Sequence, residues 1–459
     1  MKIYILALSV LASFFSEDSA AQAKKSDQRP NIIFILTDDQ RYDAFGAAGN
    51  TIIQTPNIDS IAAKGIQFRN AYVTTAICCV SRASILTGQY MARHKIEDFA
   101  TPLSDTAIQQ TYPLLLRSAG YNTGFIGKFG VGAKLPDAAL FDYWNCSRQF
   151  DQQYYLNNSK GEPVHNTDSI GNSAIGFLQQ YAGNEKPFCL SVSFKAPHEL
   201  DGSPPTYPVQ QKFLNLYSDV NIPEPLTADA KYWNSFPDFF RTDSNIGRER
   251  WKPLFSTPVL YQQTVKNYYR LISGVDEVVG RILHTLRQLN IDKNTIIIFM
   301  GDNGFCLGEH GLQGKWFEFE ESIRVPLLIY DPGNKQLQGV KDDHMVLNID
   351  IAPTILSLAG IWPVPGMQGK SLFDIMNGNY KRDDFFYQHT FLGSPRLPKV
   401  EGVVSTSFKY VKYIEHGYEE LYDLKNDPYE TKNLASDKNC KKELDQMRKR
   451  YDHLKQKAK

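Results

Sequence analysis

The chain is short of three things, and each shortage excludes something. It has no excess charge: 50 Lys+Arg balance 50 Asp+Glu, for a formal net charge of zero. A balanced chain has no long-range field to gather nucleic acid or an anionic membrane surface. An anionic substrate must therefore be met by a local basic site. Cysteine is scarce: Cys78, Cys79, Cys146, Cys189, Cys306 and Cys440 are the six in 459 residues, scattered without a framework spacing. That excludes a disulfide-stapled scaffold, which a chain long enough to bury a large core does not need. Beyond residue 23 no uninterrupted apolar run reaches the roughly 18 residues of a membrane-spanning helix. Internal repeats and low-complexity tracts are missing as well.

What is present starts with a leader. Lys2 supplies a positive start, Ile3–Phe15 an apolar stretch, and Ala21-Gln22-Ala23 a small-residue cleavage signal. The reading is a signal peptide over residues 1–23, cleaved after Ala23, and a mature protein exported to the periplasm or the exterior. Residues 24–377 are read as one α/β catalytic domain and 378–459 as a smaller α+β subdomain.

The division rests on pattern. Asn31–Leu36, Leu190–Phe194, Thr295–Met300 and Val325–Tyr330 are continuous apolar runs, as expected of strands buried on both faces. Helical patterns lie between them, at 57–64, 81–87, 111–119, 169–181 and 261–289. Such alternation predicts a large, mostly parallel sheet sandwiched by helices. After about residue 377 the pattern changes to short alternating strands and a final Lys-rich amphipathic helix, a small antiparallel sheet with one helix. Residues 201–246, rich in Pro, Tyr, Asp and Ser, read as a long insertion near the cleft, and the aromatics of the Trp- and Tyr-rich 204–262 region either pack or stack on the rings of a ligand.

In sheets of this kind chemistry collects beyond the carboxyl ends of the strands. The polar residues obey that rule. The first run ends in Thr37-Asp38-Asp39-Gln40, another in Gly301-Asp302-Asn303-Gly304, a third in Lys195-Ala196-Pro197-His198, and the short Thr123–Ile126 run in Gly127-Lys128. Asp38, Asp39, Asp302 and Asn303 offer three carboxylates and an amide oxygen, a donor set that suits a hard cation, calcium or magnesium, better than zinc. Arg82, Lys128, Lys315 and His198 add positive or proton-donating groups, which beside a divalent cation suit a tetrahedral anion such as sulfate or phosphate.

Cys78 and Cys79 precede a helix starting near Ser81, where unsatisfied N–H groups and the positive helix end can face an anion. Vicinal cysteines bond to each other only with strain. A plain thiolate is also a poor agent for a sulfate ester, because its covalent product needs a second displacement at sulfur.

The run Cys78-Cys79-Val80-Ser81-Arg82-Ala83-Ser84-Ile85-Leu86-Thr87-Gly88 resembles the signature of the type I, formylglycine-dependent sulfatases of the alkaline-phosphatase-like superfamily, Cys-x-Pro-Ser-Arg followed by x-x-x-Leu-Thr-Gly. Further segments match in order: Arg29-Pro30-Asn31-Ile32 through Asp39, Gly301 through Gly311, Gly314-Lys315-Trp316, Glu321–Pro326, Asp350–Thr354 and Glu420–Leu424. The resemblance implies a bacterial carbohydrate sulfatase in which Cys78 is oxidised to formylglycine by a maturation enzyme. Asp38, Asp39, the modified Cys78, Asp302 and Asn303 would hold one calcium ion. The hydrated aldehyde would attack sulfur and then expel sulfate, with Arg82, Lys128 and Lys315 stabilising the sulfuryl oxygens and His198 or Lys315 protonating the leaving oxygen. Arg93, His94, His310 and Arg324 are candidates to line sugar subsites. Two positions depart from the pattern: Val80 replaces the signature proline, and Gly130 stands where Gly-Lys-Trp-His would place a histidine. A phosphoester hydrolase of the same superfamily and a non-catalytic glycan-binding protein with Cys78 unmodified are the alternatives.

Overall fold

The computed structural model describes residues 29–147 and 153–459; the leader expected over residues 1–23 lies outside them. The main sheet has eight strands: β1 (Asn31–Asp38), β2 (Ile66–Tyr72), β3 (Asn122–Lys128), β4 (Tyr143–Ser147), β5 (Phe188–Pro197), β6 (Thr295–Gly301), β7 (Leu327–Tyr330) and β8 (Val340–Leu347). Their spatial order is β8-β2-β7-β6-β1-β5-β3-β4. Only β7 runs against its neighbours; every other pairing in the sheet is parallel. The expected α/β architecture is borne out.

β1 shows why a continuous apolar run forms a central strand. All eight of its residues are buried. Ile32, Phe34 and Leu36 enter the core on one face of the sheet while Ile33 and Ile35 enter the core on the other. Alternate side chains thus feed two cores, and no polar face is needed. Helices α1 (Pro56–Lys64), α2 (Cys78–Thr87), α3 (Asn166–Tyr181) and α4 (Pro258–Gln288) cover the sheet. The 31-residue α4 begins with Pro258 after a Thr257 cap whose side chain accepts the Leu260 N–H. It lays Val265, Tyr268, Ile272, Val275, Val279 and Ile282 on the second core. Among the described residues no helix is long and apolar enough to cross a membrane.

The C-terminal sheet is an antiparallel meander of β9 (Asp384–His389), β10 (Val400–Ser405), β11 (Phe408–Tyr413) and β12 (Tyr418–Asp423). One face of it carries Phe386, Val403, Tyr410 and Leu421 against Leu444, Met447 and Tyr451 of the closing helix α5 (Lys441–Lys457). The other face puts Phe385, Tyr387, Val404, Val411 and Tyr413 into the core of the large sheet itself. In the insertion, Trp233, Phe236 and Phe240 are buried and pack on one another and on Phe317 and Phe319. Of the two roles open to these aromatics, these three serve packing.

Candidate active site

Two adjacent strands, β1 and β6, deliver the acids. β1 ends in Asp38, and Asp39 follows in the left-handed region at φ 65°. That conformation is costly for an aspartate. It is held by the Asp39 N–H donating to Asp302 Oδ1 at 3.1 Å and by Tyr268 Oη donating to the Asp39 carbonyl at 2.6 Å. Asp302 follows β6, and Asn303 donates from Nδ2 to Asp39 Oδ1 at 2.6 Å. Asp38, Asp39, Asp302 and Asn303 are all fully buried.

Helix α2 brings the sulfur. All ten of its residues are buried, and its N-cap, Ile77, provides no side-chain cap. No N-cap side chain therefore takes up the amides of its first turn, at the end where Cys78 sits. Cys78 Sγ donates to Asp38 Oδ1 at 3.2 Å. Burial, and then Asp38, push the Cys78 thiol well above its ordinary range, so it is not a thiolate. Val80, fully buried in the same turn, occupies a place where an N–H has no carbonyl four residues back. Proline is tolerated in a first turn for that reason, and so valine there leaves the helix intact. The helix closes at Gly88, in the left-handed region at φ 66°, whose N–H bonds to the Ser84 carbonyl.

Each acid has a cation. Arg82 Nε donates to Asp302 Oδ2 at 2.7 Å, and its Nη1 to the Lys128 carbonyl at 2.7 Å and Ser193 Oγ. Its Nη2 is buried with no hydrogen-bond partner. Lys128 Nζ pairs with Asp38 Oδ2, and Lys315 Nζ donates to Asp39 Oδ2 at 2.7 Å. Burial alone would push Asp38 up, but Lys128, His198, Arg82 and Lys315 together hold it well below the usual carboxylate range. Burial raises Asp39 well above that range, against Lys315 and with help from Asp38, Glu199 and Asp302. Asp302 is pushed up to about 6, by burial first and Asp38 second.

His198 Nε2 lies 3.6 Å from Asp39 Oδ2, while its Nδ1 faces the Glu199 carbonyl at 2.5 Å. A carbonyl only accepts, so Nδ1 carries the hydrogen and Nε2 keeps its lone pair toward the acids. Burial first, and Lys315 next, bring the imidazole down to about 4.

The donor set fits a hard divalent cation. The ligand atoms of Asp38, Asp39, Cys78 and His198 lie within 4.8 Å of one another. Asn303 Oδ1 is buried without a hydrogen-bond partner, an unsatisfied oxygen beside these carboxylates. The ammonium groups of Lys128 and Lys315 stand on Asp38 and Asp39 as a cation would. Three carboxylates and three cationic side chains balance; a divalent ion makes the site positive overall, which suits an anionic ester.

The structure thus brings together Asp38, Asp39, Cys78, Arg82, Lys128, His198, Asp302, Asn303 and Lys315. It gives the four proposed subsite residues other surroundings. Arg93 is exposed, and His94 Nε2 bonds to Ser84 Oγ at 3.1 Å while its Nδ1 accepts the Ile96 N–H. His310 is buried and stacked on Phe319 at 4.1 Å. Arg324 donates to the Arg69 carbonyl at 2.6 Å and lies over the Tyr42 ring. Packing and backbone bonding occupy His94, His310 and Arg324, which their sequence context did not reveal.

Sequence reasoning also passed over three residues around His198. Glu199, fully buried, pairs with Arg250 at 2.5 Å, and Arg250 also reaches Asp201 at 2.8 Å. Lys195 is buried at the end of β5, over the Tyr154 ring, and burial and Lys128 lower its pKa. Its position in the quoted Lys195-Ala196-Pro197-His198 run was the available signal.

Gly130, in the histidine's place, adopts φ +75°, and a Cβ there would come within 2.5 Å of Arg82 Cδ. The missing histidine and the path of Arg82 are one fact.

A buried divalent-cation cradle beside a cysteine at a helix start, at the carboxyl edge of a parallel sheet, defines an α/β hydrolase of anionic esters. The comparisons with known proteins name the group. The sulfatase family model matches residues 30–361, and a second model, N-sulphoglucosamine sulphohydrolase C-terminal, matches residues 308–457. The chain belongs to the sulfatase family and is a sulfuric ester hydrolase. It is 29% identical to an N-acetylglucosamine-6-O-sulfatase of Bacteroides thetaiotaomicron, over 92% of this chain and 86% of that one. A solved structure in complex with its substrate D-glucosamine-2-N,6-O-disulfate superposes with a TM-score of 0.79 at 27% identity, covering 94% of this chain and 98% of the other. A phosphonate monoester hydrolase of Agrobacterium radiobacter shares the fold, with a TM-score of 0.79 at 22% identity over 94% and 96% of the two chains.

Proposed function

We propose that this enzyme removes sulfate from a sulfated saccharide, outside the cytoplasm, at the site built around Cys78. The observation that carries the reading is the convergence on Asp38 and Asp39 of Cys78, Lys128 and Lys315, with Arg82 on Asp302 beside them. Asp38, Asp39, Asp302 and Asn303 would hold a calcium ion, which would supply Lewis-acid polarisation, and formylglycine in place of Cys78 would supply an oxygen nucleophile.

The side chains do the rest. Arg82 Nη2, without a hydrogen-bond partner and 3.7 Å from Asp38 Oδ2, is the end that can donate to a substrate or nucleophile oxygen. Lys128 and Lys315, now paired with Asp38 and Asp39, would be donors to the sulfuryl oxygens were a cation to occupy those carboxylates. Lys315, held protonated by Asp39 against the pull of burial, carries a proton to the departing sugar oxygen. His198, with its Nε2 3.6 Å from Asp39 Oδ2, is the second candidate for that proton.

A hexosamine bearing 6-O-sulfate is the first substrate to try, on the strength of the relative's name and of the sugar in the solved complex. The decisive experiment has two parts. Protein from its native host is digested, and the peptide spanning Cys78 is weighed; conversion makes it about 18 Da lighter than the cysteine form. Sulfate release is then measured against phosphate release from esters of the same leaving group. An unshifted peptide with no turnover supports the glycan-binding alternative, and dominant phosphate turnover supports the phosphoester alternative.

A further inference from the structure

The segment carrying Lys315 is fixed by the C-terminal subdomain. Trp316, the next residue, is a bulky side chain in the left-handed region at φ 86°. Residues of that kind rarely hold such a conformation unless their surroundings impose it. On one side, the Trp316 N–H donates to the Ala76 carbonyl at 2.9 Å, in the turn that leads into Cys78. On the other, Tyr387 Oη of β9 lies 3.3 Å from the Trp316 carbonyl and 3.0 Å from that of Phe317, and donates to them.

The bonding continues along the segment. Lys409 of β11, completely buried, donates from Nζ to the Glu318 carbonyl at 2.8 Å and pairs with Glu320 at 2.9 Å and Glu430 at 2.7 Å. Tyr413 Oη donates to Glu318 Oε1 at 2.7 Å, and the Glu320 N–H donates to Glu430 Oε2 at 2.8 Å. These groups come from β9, β11 and the loop after β12, and they meet residues 316–320. No residue of the C-terminal subdomain is among the nine gathered at the cation cradle. This backbone is one route by which it reaches the site; a second is the Gln388 N–H, which donates to the Thr74 carbonyl at 3.2 Å.

We propose that Tyr387 and Lys409 are positioning residues for Lys315. By pinning the carbonyls of Trp316, Phe317 and Glu318 they hold the left-handed turn that aims Lys315 Nζ at Asp39 and the ester beyond it. This rests on the sulfatase reading and adds to it a working role for the second subdomain.

Tyr387→Phe tests the proposal, because it removes one hydroxyl and keeps the ring in its core. Sulfate-ester kinetics are measured for the wild type, Tyr387→Phe, Lys315→Ala and the double variant, with urea unfolding alongside. The expected result is that Tyr387→Phe lowers kcat about fivefold to tenfold, the size of one lost hydrogen bond, with KM within about twofold. In the Lys315→Ala background the same change should have less than about a twofold effect, because the two residues act as one unit. Lys409→Met, the more disruptive change, should show the same non-additivity if it folds. Equal losses from Tyr387→Phe in both backgrounds, or wild-type kinetics for Tyr387→Phe, would overturn the proposal. Undiminished turnover by Lys315→Ala would instead overturn the role given to Lys315, so the two failures are distinguishable.

Discussion

Replacing Asp302 by Asn probes the cradle in a way that can be worked out from its geometry. The two side chains have the same shape, so packing is unchanged. Asp302 now accepts from Arg82 Nε at 2.7 Å and from the Asp39 N–H at 3.1 Å. The amide keeps an oxygen for one of these donors and sets its NH2 against the other. Arg82, its side chain 1% exposed, loses its nearest counter-charge. Breaking a buried pair from one side costs about 3–5 kcal/mol. Asp38 remains 3.7 Å from Arg82 Nη2, so the lower end, about 3 kcal/mol, is the expected loss in chelator. Calcium changes the comparison. At a hundredfold excess over its dissociation constant it should stabilise the wild type by about 2.7 kcal/mol through mass action. The variant, one carboxylate poorer, should gain little. Urea unfolding with and without calcium measures both differences, and sulfate release should fall below about a thousandth of wild type. A variant as stable as wild type in chelator, and equally stabilised by calcium, would refute both the ion pairing and the assignment of Asp302 to the cation.

Two further predictions concern residues outside the cation cradle. Gly130→His, which restores the family's residue, should reduce turnover by at least about tenfold, because its Cβ meets Arg82 and its φ of +75° strains any side chain; improved turnover would show that Arg82 does not need its present path. His310 and His389 are buried, and burial lowers each to about 3. An unfolded chain takes up these protons near pH 6.5 and the folded one does not. Each histidine's stabilising contribution is therefore complete above pH 6.5 and lost as pH falls toward 3, with about 2 kcal/mol per histidine gone by pH 5. Urea midpoints at pH 7 and pH 5 check this, and His389→Leu should flatten the dependence; an unchanged slope in that variant would show that His389 carries none of it.

Much of this was legible in the sequence because parallel strands announce themselves. Asn31–Leu36 is apolar on both faces, so the strand and the acids at its end could be placed before any coordinates. The reversed direction of β7 was not legible, since a buried strand reads alike in both directions and pairing decides which it takes. Arg324 and His310 looked like site residues because their flanking motifs do. Their side chains turn instead to a neighbouring backbone and to an aromatic stack, contacts set by chain segments far away in sequence. Lys195 and the Glu199–Arg250 pair were missed for the complementary reason. Single charged residues carry no period: Lys195 sits near the end of a largely apolar strand, and Glu199 gains its partner only from the approach of helix Ile246–Phe255 to the end of β5.

The burial of α2 has a consequence for timing. Cys78 is 1% exposed, Cys79 and Val80 are fully covered, and the helix is enclosed along its whole length. No protein-sized catalyst can reach that sulfur without first undoing part of the sheet and its cover. Any modification of Cys78 by such a catalyst must be finished while the chain is still open. Folding then works as a one-way door, so that molecules passing it with an untouched thiol stay that way. An incompletely converted preparation would hold two fixed populations, whose ratio is set before α2 is enclosed.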